Sequence, residues 1–151
     1  MSKHMKVLTE SYDRVSRLEV PSMPVKYPRA PGYRPSPEEN KYNVWYWCCD
    51  IKGADSGKLA GKTIAIKDSV AVAGVPMMNG SKMLEGYVPE FDATVVSRIL
   101  DAGGRIIGKT NLSGASFTNV TGPTLNPNDP TRTSGGSSSG SAVAVYISIL
   151  T

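Results

Sequence analysis

The spacing of hydrophobic residues changes along the chain, and this change predicts where helices lie. Residues 5–18 carry apolar side chains at helical spacing with charged residues between them: Leu8, Tyr12, Val15 and Leu18. A second helix is predicted over residues 93–102, with Asp92 as its amino-terminal cap and a Gly-Gly pair at its end. A third helix is predicted over residues 139–149, in a run of small and apolar residues.

Two short apolar runs have the length and composition of buried strands. They are Thr-Ile-Ala-Ile-Lys at residues 63–67 and Arg-Ile-Ile-Gly-Lys-Thr at residues 105–110. A long irregular stretch, residues 68–91, and the second predicted helix lie between them. Strand, loop, helix and strand in this order predict an α/β fold in which the two strands are neighbours in one sheet.

Proline divides the chain into three predicted units. Six of the eleven prolines lie within residues 21–37, and proline fixes φ and lacks an N–H donor, so we expect an extended linker there. An N-terminal helical segment, residues 1–20, precedes the linker, and a folded α/β unit, residues 38–151, follows it. The aromatic residues within 37–47 are expected to anchor the linker on the core.

Composition narrows the possible partners and compartments. The net charge of the 151 residues is +4 and the basic residues are scattered, so no nucleic-acid surface is predicted. Neither a membrane-spanning run nor the apolar segment of a secretory signal is evident, which predicts a cytoplasmic protein without membrane attachment. Cys48 and Cys49 are adjacent and are expected to be reduced packing residues, and no metal site is predicted.

The tract Thr-Ser-Gly-Gly-Ser-Ser-Ser-Gly-Ser-Ala at residues 133–142 is the strongest candidate for chemistry. It places serine hydroxyls and free backbone N–H groups at the start of a predicted helix, whereas the alternative is a flexible linker. Ser138 fits the G-x-S-x-G nucleophile pattern, but the only histidine is His4, so a Ser-His-Asp triad is not expected. Lysine is the usual substitute base, and Lys67 ends an apolar strand. The alternative for Lys67 is a surface lysine paired with Asp68.

Residues 103–110, from Gly103 to Thr110, match the phosphate-loop pattern G-x-x-x-x-G-K-[ST]. A phosphate loop follows a strand and opens a helix, whereas here a predicted helix precedes the motif. Ile106 and Ile107 would also lie inside the loop, although their side chains favour burial. Nucleotide binding through these residues is therefore only a minor alternative.

Six segments in a fixed order resemble the opening part of the amidase signature family. They are residues 61–68, 74–81, 91–96, 102–104, 108–111 and 134–142. The Val-Pro-Met-Met-Asn-Gly-Ser segment and the serine tract are most similar to bacterial and fungal amidases of small or aromatic carboxamides. The resemblance implies a mixed sheet flanked by helices, hydrolysis of carboxamide C–N bonds and no cofactor.

The resemblance also implies a Ser–cis-Ser–Lys triad, named for a cis peptide bond at its middle serine. By position, Lys67 is its base and Ser137 its bridging residue, and Ser116 or Phe117 falls near a substrate-pocket position. The family's nucleophile lies in a second glycine-rich loop, and the 151 residues contain no Asp-x-Gly-Gly-Ser segment. We therefore expect the N-terminal third of such an enzyme, inactive by itself.

A non-catalytic interaction module is the principal alternative. Strands left without neighbours would favour pairing with a full-length relative or with a separate C-terminal chain. A complete enzyme, in contrast, would take a small-molecule amide as its substrate.

Overall fold

The computed structural model describes residues 3–19, 23–113 and 122–150, which contain three α-helices and one three-stranded sheet. In chain order the elements are α1 Lys3–Ser16, β1 Trp45–Lys52, β2 Thr63–Lys67, a 3₁₀ turn Lys82–Leu84, α2 Thr94–Asp101, β3 Arg105–Thr110 and α3 Ser139–Leu150. The predicted α/β class is therefore confirmed, and the predicted bounds of β2 and β3 are those observed. None of the helices in these ranges is long and apolar enough to cross a membrane.

The sheet has the order β1-β3-β2, with β3 in the centre. β3 pairs with β1 antiparallel and with β2 in parallel, so the sheet is mixed, as the family resemblance implies. β1 was not predicted as a strand, since residues 37–47 were expected only to anchor the linker. Its register shifts between Trp45 and Trp47 and again between Cys48 and Ile51, so its apolar residues lack the strict alternation by which a strand is recognised.

The pleat gives the sheet two faces, because successive side chains of a strand point to opposite sides. Ile66 pairs with Lys109 on what we call the core face. This face packs on the main hydrophobic cluster, whose buried members are Cys49, Ile51, Ile66, Val72, Val75, Val96, Leu100 and Ile106. Lys67 pairs with Thr110 on the opposite side, the serine face, where Ala65 packs on a second cluster formed by Val44, Val143 and Ala144.

Helix α2 is one residue shorter at each end than predicted, and its amino-terminal cap differs from the prediction. The cap position is occupied by Ala93, which makes no side-chain cap hydrogen bond. Asp92 instead accepts a hydrogen bond from the N–H of Ala73 at 2.9 Å and forms an ion pair with Arg29. Its carboxylate is therefore engaged by tertiary partners. Val96 and Leu100 of this helix are buried, whereas Val95 is 50% exposed.

The N-terminal part combines an exposed helix with a docked proline-rich segment. Helix α1 confirms the predicted helix, but all its side chains are exposed. Within the predicted linker, the guanidinium of Arg29 is 12% exposed and donates to the carbonyls of Tyr27 and Ala73. Tyr33 forms a β-bridge with Cys48. The segment is therefore held to the folded part at two points, because Arg29 binds the stretch before α2 and Tyr33 pairs with β1; the division into three units stays a prediction.

Candidate active site

The candidate site lies at the carboxyl ends of β2 and β3. These strands are parallel, so Lys67 and Thr110 meet at the same edge of the sheet. The N–H of Asp68 donates to the carbonyl of Thr110 at 3.0 Å, which extends the pairing one residue beyond β2. The serine tract and the start of α3 pack against this edge.

Lys67 and Ser137 are in direct contact on the serine face. The Nζ atom of Lys67 lies 2.7 Å from the Oγ atom of Ser137, and both residues are half-buried. The peptide bond between Gly136 and Ser137 is cis. The carbonyl of Ser137 accepts a hydrogen bond from the N–H of Ser113 at 3.2 Å, which ties the serine tract to the chain after β3.

A close backbone approach brings α3 to the sheet. The N–H of Gly140 donates to the carbonyl of Asn111 at 3.0 Å. A Cβ atom at this position would lie 2.6 Å from the carbonyl oxygens of both Asn111 and Val44, so only glycine permits the contact. Next to it, the hydroxyls of Thr110 and Ser141 are 2.8 Å apart and hydrogen-bonded. These contacts set the position of the serine tract above Lys67.

A buried ion pair lies on the core face, directly behind Lys67. The Nζ atom of Lys109 is 3.0 Å from Oδ1 of Asp68, and the two side chains are 0% and 1% exposed. Oδ2 of Asp68 accepts hydrogen bonds from the N–H groups of Met78 at 3.1 Å and Asn79 at 2.8 Å. Burial lowers the pKa of Lys109, against the opposing effect of the Asp68 carboxylate.

This ion pair decides between two interpretations of the sequence. Asp68 is engaged by Lys109 and not by Lys67, so the alternative of a surface Lys67–Asp68 pair does not hold. Lys109 belongs to the phosphate-loop pattern, but its amine is fully buried against a carboxylate and residues 105–110 form a strand. The geometry therefore provides no phosphate-binding loop.

Three polar atoms near the site have no hydrogen-bond partner among the described residues. They are the buried atoms Ser113 Oγ, Ser139 Oγ and Asn79 Oδ1. Ser113 donates its N–H to Ser137, Ser139 is the first residue of α3, and Asn79 donates its N–H to Asp68. A buried polar group without a partner costs about 1–3 kcal/mol. A hydrogen-bond partner outside the described residues would therefore be stabilising at these three atoms.

The remaining sequence-predicted residues contribute no geometry to the site. Ser116 and Phe117 lie outside the described residues. Ser138 of the G-x-S-x-G pattern is exposed, and its carbonyl accepts a hydrogen bond from Ala142 in the first turn of α3. Sequence reasoning also missed the roles of Lys109 and Gly140. The sequence does contain a signal for Lys109, because it is a lysine within the predicted strand 105–110. The neighbouring predicted strand, residues 63–67, is followed directly by Asp68.

Comparison with protein families agrees with the resemblance noted from the sequence. The family model for amidases matches residues 48–150 of this chain. An enantioselective amidase from Rhodococcus rhodochrous is 48% identical over 118 residues, which cover 74% of this chain and 23% of the relative. A glutamyl-tRNA(Gln) amidotransferase subunit from Halobacterium salinarum is 53% identical over 100 residues, with 63% of this chain and 24% of the relative covered. The chain thus spans about a quarter of the length of these relatives.

Solved structures give the same agreement. The corresponding glutamyl-tRNA(Gln) amidotransferase subunit from Thermotoga maritima matches with a TM-score of 0.51 and 39% identity, over 61% of this chain and 22% of that chain. A 6-aminohexanoate cyclic dimer hydrolase complexed with substrate matches with a TM-score of 0.56 and 36% identity, over 60% of this chain and 20% of that chain.

Proposed function

Because this chain belongs to the amidase family, we propose that Lys67 and Ser137 form a proton relay for the hydrolysis of carboxamide C–N bonds. The observation that carries the proposal is the 2.7 Å contact between the amine and the hydroxyl at the end of β2. A hydroxyl held against an amine is the arrangement that activates serine chemistry without histidine.

The proposed reaction begins with the neutral amine of Lys67. Lys67 accepts the proton of the Ser137 hydroxyl while Ser137 takes the proton of a nucleophilic hydroxyl that attacks the amide carbon. The carbon–nitrogen bond then breaks, and the proton returns through the same two residues to the leaving amine. Water releases the acyl group by the same route, which regenerates both side chains.

We propose that the nucleophile and the oxyanion donors come from a further polypeptide segment. Two features support this part of the proposal: the hydroxyls of Ser113 and Ser139 beside the relay, which have no hydrogen-bond partner within residues 3–19, 23–113 and 122–150, and the outer edge of β2, which is unpaired in the described sheet. A single oxyanion donor is worth about 10²–10³-fold in rate. Residues 1–151 alone are therefore expected to show no sustained amide hydrolysis.

A chimera tests the proposed relay. In the Rhodococcus rhodochrous amidase, the matching stretch is replaced by residues 48–150 of this chain, and ammonia release from benzamide and acetamide is measured. We expect turnover, and a fall of about 10²–10⁴-fold in kcat for Ser137→Ala and for Lys67→Met, because each removes proton transfer. Turnover that survives Ser137→Ala would refute the relay. Sustained turnover by residues 1–151 alone would refute the need for a second segment.

Two matched substitutions serve as controls. Ser138→Ala removes the exposed hydroxyl next to Ser137, and Lys62→Met removes an exposed lysine just before the opposite end of β2. Both are expected to keep the activity of the unmodified chimera. Activity lost in Ser138→Ala but kept in Ser137→Ala would instead favour the G-x-S-x-G interpretation.

A non-catalytic role in pairing is the second candidate. It is supported by the unpaired edge of β2 in the described sheet and by Val145 of α3, whose side chain is 59% exposed. Size-exclusion chromatography of this chain with and without a full-length relative tests it. A defined complex combined with an inactive chimera would favour pairing over catalysis.

A further inference from the structure

We propose that Asp68 and Lys109 are positioning residues, which fix the carboxyl end of β2 so that the Lys67 amine stays against the Ser137 hydroxyl. The catalytic meaning of this inference rests on the proposed function. Its geometric part concerns only residues of this chain and is testable without any turnover.

Lys109 binds the residue directly after Lys67. Its Nζ atom lies 3.0 Å from the Asp68 carboxylate and 3.4 Å from the Asp68 main-chain carbonyl. The N–H of Asp68 is bonded to Thr110. Residue 68 is therefore held through its carboxylate, its carbonyl and its N–H, and all three contacts lead to the central strand β3.

Lys67 and Asp68 point to opposite faces of the sheet. Lys67 contacts Ser137 on the serine face, whereas Asp68 contacts Lys109, which pairs with Ile66 on the core face. The ion pair thus lies on the face of the sheet opposite the contact between Lys67 and Ser137. It acts on the relay through the main chain of β2.

Two titratable groups of β1 lie near the Asp68–Lys109 pair. Among the described residues, Cys49 and Tyr46 of β1 are the further titratable groups that interact with the pair, since Lys109 acts electrostatically on Cys49 and Asp68 on Tyr46. Both are buried, and burial raises the pKa of each, so both stay neutral near neutral pH. The charge of the Asp68 carboxylate is therefore balanced on the core face by Lys109.

A second buried ion pair provides the matched control. Arg29 and Asp92 pair at the far end of the same loop, with side chains 12% and 9% exposed, and Asp92 also binds the N–H of Ala73. This pair anchors the loop before α2, and in the described part of the chain it forms no hydrogen bond or ion pair with residues 67–68 or with the serine tract. Its removal tests what destabilisation alone does to Lys67.

The direct measurement is the side-chain amine signal of Lys67 in the full chain labelled with ¹⁵N-lysine. Lys67→Met assigns the signal by its loss, and Ser137→Ala defines its position without the hydroxyl. We expect Lys109→Met to move the signal towards its position in Ser137→Ala, and Arg29→Met to leave it unchanged. A native signal in folded Lys109→Met, or an equal displacement in Arg29→Met, would overturn the inference.

The double variant Asp68→Asn/Lys109→Met keeps the test decisive where Lys109→Met alone does not fold. It removes both charges, so no buried charge is left unpaired, but it also removes the bond from Nζ to the carbonyl of residue 68. We expect a folded chain by circular dichroism with a displaced Lys67 signal. A folded double variant with a native signal contradicts positioning by Lys109.

Turnover in the chimera tests the catalytic consequence. The double variant is expected to lower kcat by about 10²-fold with little change in KM, because a misplaced base weakens the transition state more than binding. An unchanged kcat together with a displaced Lys67 signal would refute the catalytic meaning. A chimera with no turnover in any variant refutes the proposed function instead, and the Lys67 signal still decides the positional claim.

Discussion

At the carboxyl ends of β2 and β3, the two faces of the sheet carry different kinds of polar contact. β2 is followed directly by Asp68, so Lys67 and Asp68 diverge to opposite faces, and Lys109 and Thr110 at the end of β3 diverge in the same way. On the serine face an amine and hydroxyls make single hydrogen bonds, at 2.7 Å for Lys67 and 2.8 Å for Thr110. On the core face a carboxylate and an amine are fully buried and bound by main-chain groups as well.

The two kinds of contact differ in the free energy that is lost when one partner is removed. Breaking a buried ion pair by removing one partner costs about 3–5 kcal/mol, whereas a hydrogen bond contributes about 0.5–1.5 kcal/mol. The contacts on the serine face are therefore the weaker ones, and under the proposed function we expect them to exchange partners, while the pair on the core face would hold the backbone of residue 68 in place.

The largest expected loss of stability comes from removing one partner of the ion pair on the core face. Lys109→Met leaves the Asp68 carboxylate buried without its counter-ion, so the free energy of unfolding is expected to fall by about 3–5 kcal/mol. Urea denaturation followed by tryptophan fluorescence measures the change. The double variant Asp68→Asn/Lys109→Met is the control and should recover most of the loss. A loss below about 1 kcal/mol for the single variant would contradict the burial of the pair.

The next largest loss of stability is expected from separating α3 and β3 on the serine face. Gly140→Ala places a methyl group 2.6 Å from the carbonyls of Asn111 and Val44, so α3 must shift away from β3. A clash of this kind typically costs about 1–3 kcal/mol. Urea denaturation should show this loss, with Val145→Ala on the exposed side of α3 as the nearly neutral control. Equal stability of the two variants would contradict the close approach of α3.

The sequence predicts the strands β2 and β3 and the main contact of the serine face. Thr63–Lys67 and Arg105–Thr110 are recognisable because β-branched residues fill a short run between turn signals. The partnership of Lys67 with Ser137 came from the family resemblance, because nothing local to either residue specifies a contact across 70 positions. Local pattern and family motifs together therefore predicted the two strands and the partnership of Lys67 with Ser137, but not the contacts of Thr110 and Gly140 on the same face.

The ion pair on the core face and the cap of α2 could not be predicted from local pattern or from family motifs. Asp68 and Lys109 are 41 positions apart, and their contact follows only from the parallel register of β2 on β3. Asp92 fits a helix cap by local pattern, but Arg29, 63 positions away, competes for its carboxylate. Long-range charge pairing overrode local capping, and a sequence window contains no information about it.

A smaller effect is expected from loosening the serine face at one hydrogen bond. Thr110→Val keeps the shape of the side chain and removes its bond to Ser141, which should cost about 0.5–1.5 kcal/mol. Ser141→Ala removes the same bond from the other side. A double-mutant cycle by urea denaturation should show that the two losses are not additive. Full additivity would contradict the hydrogen bond between the two hydroxyls.

The smallest perturbation uses the adjacent cysteines of β1 as reporters of the two faces. Cys49 is buried on the core face, where burial raises the pKa of its thiol to about 11, whereas Cys48 is half-buried. Since the thiolate is the reactive form, iodoacetamide at about pH 8 should modify Cys48 first and leave Cys49 unmodified while the chain is folded. Peptide mass spectrometry distinguishes the two sites, and urea-unfolded chain should react at both. Equal rates in the folded chain would contradict the difference in burial between Cys48 and Cys49. The division into two faces that separates Lys67 from Asp68 would then not extend to β1.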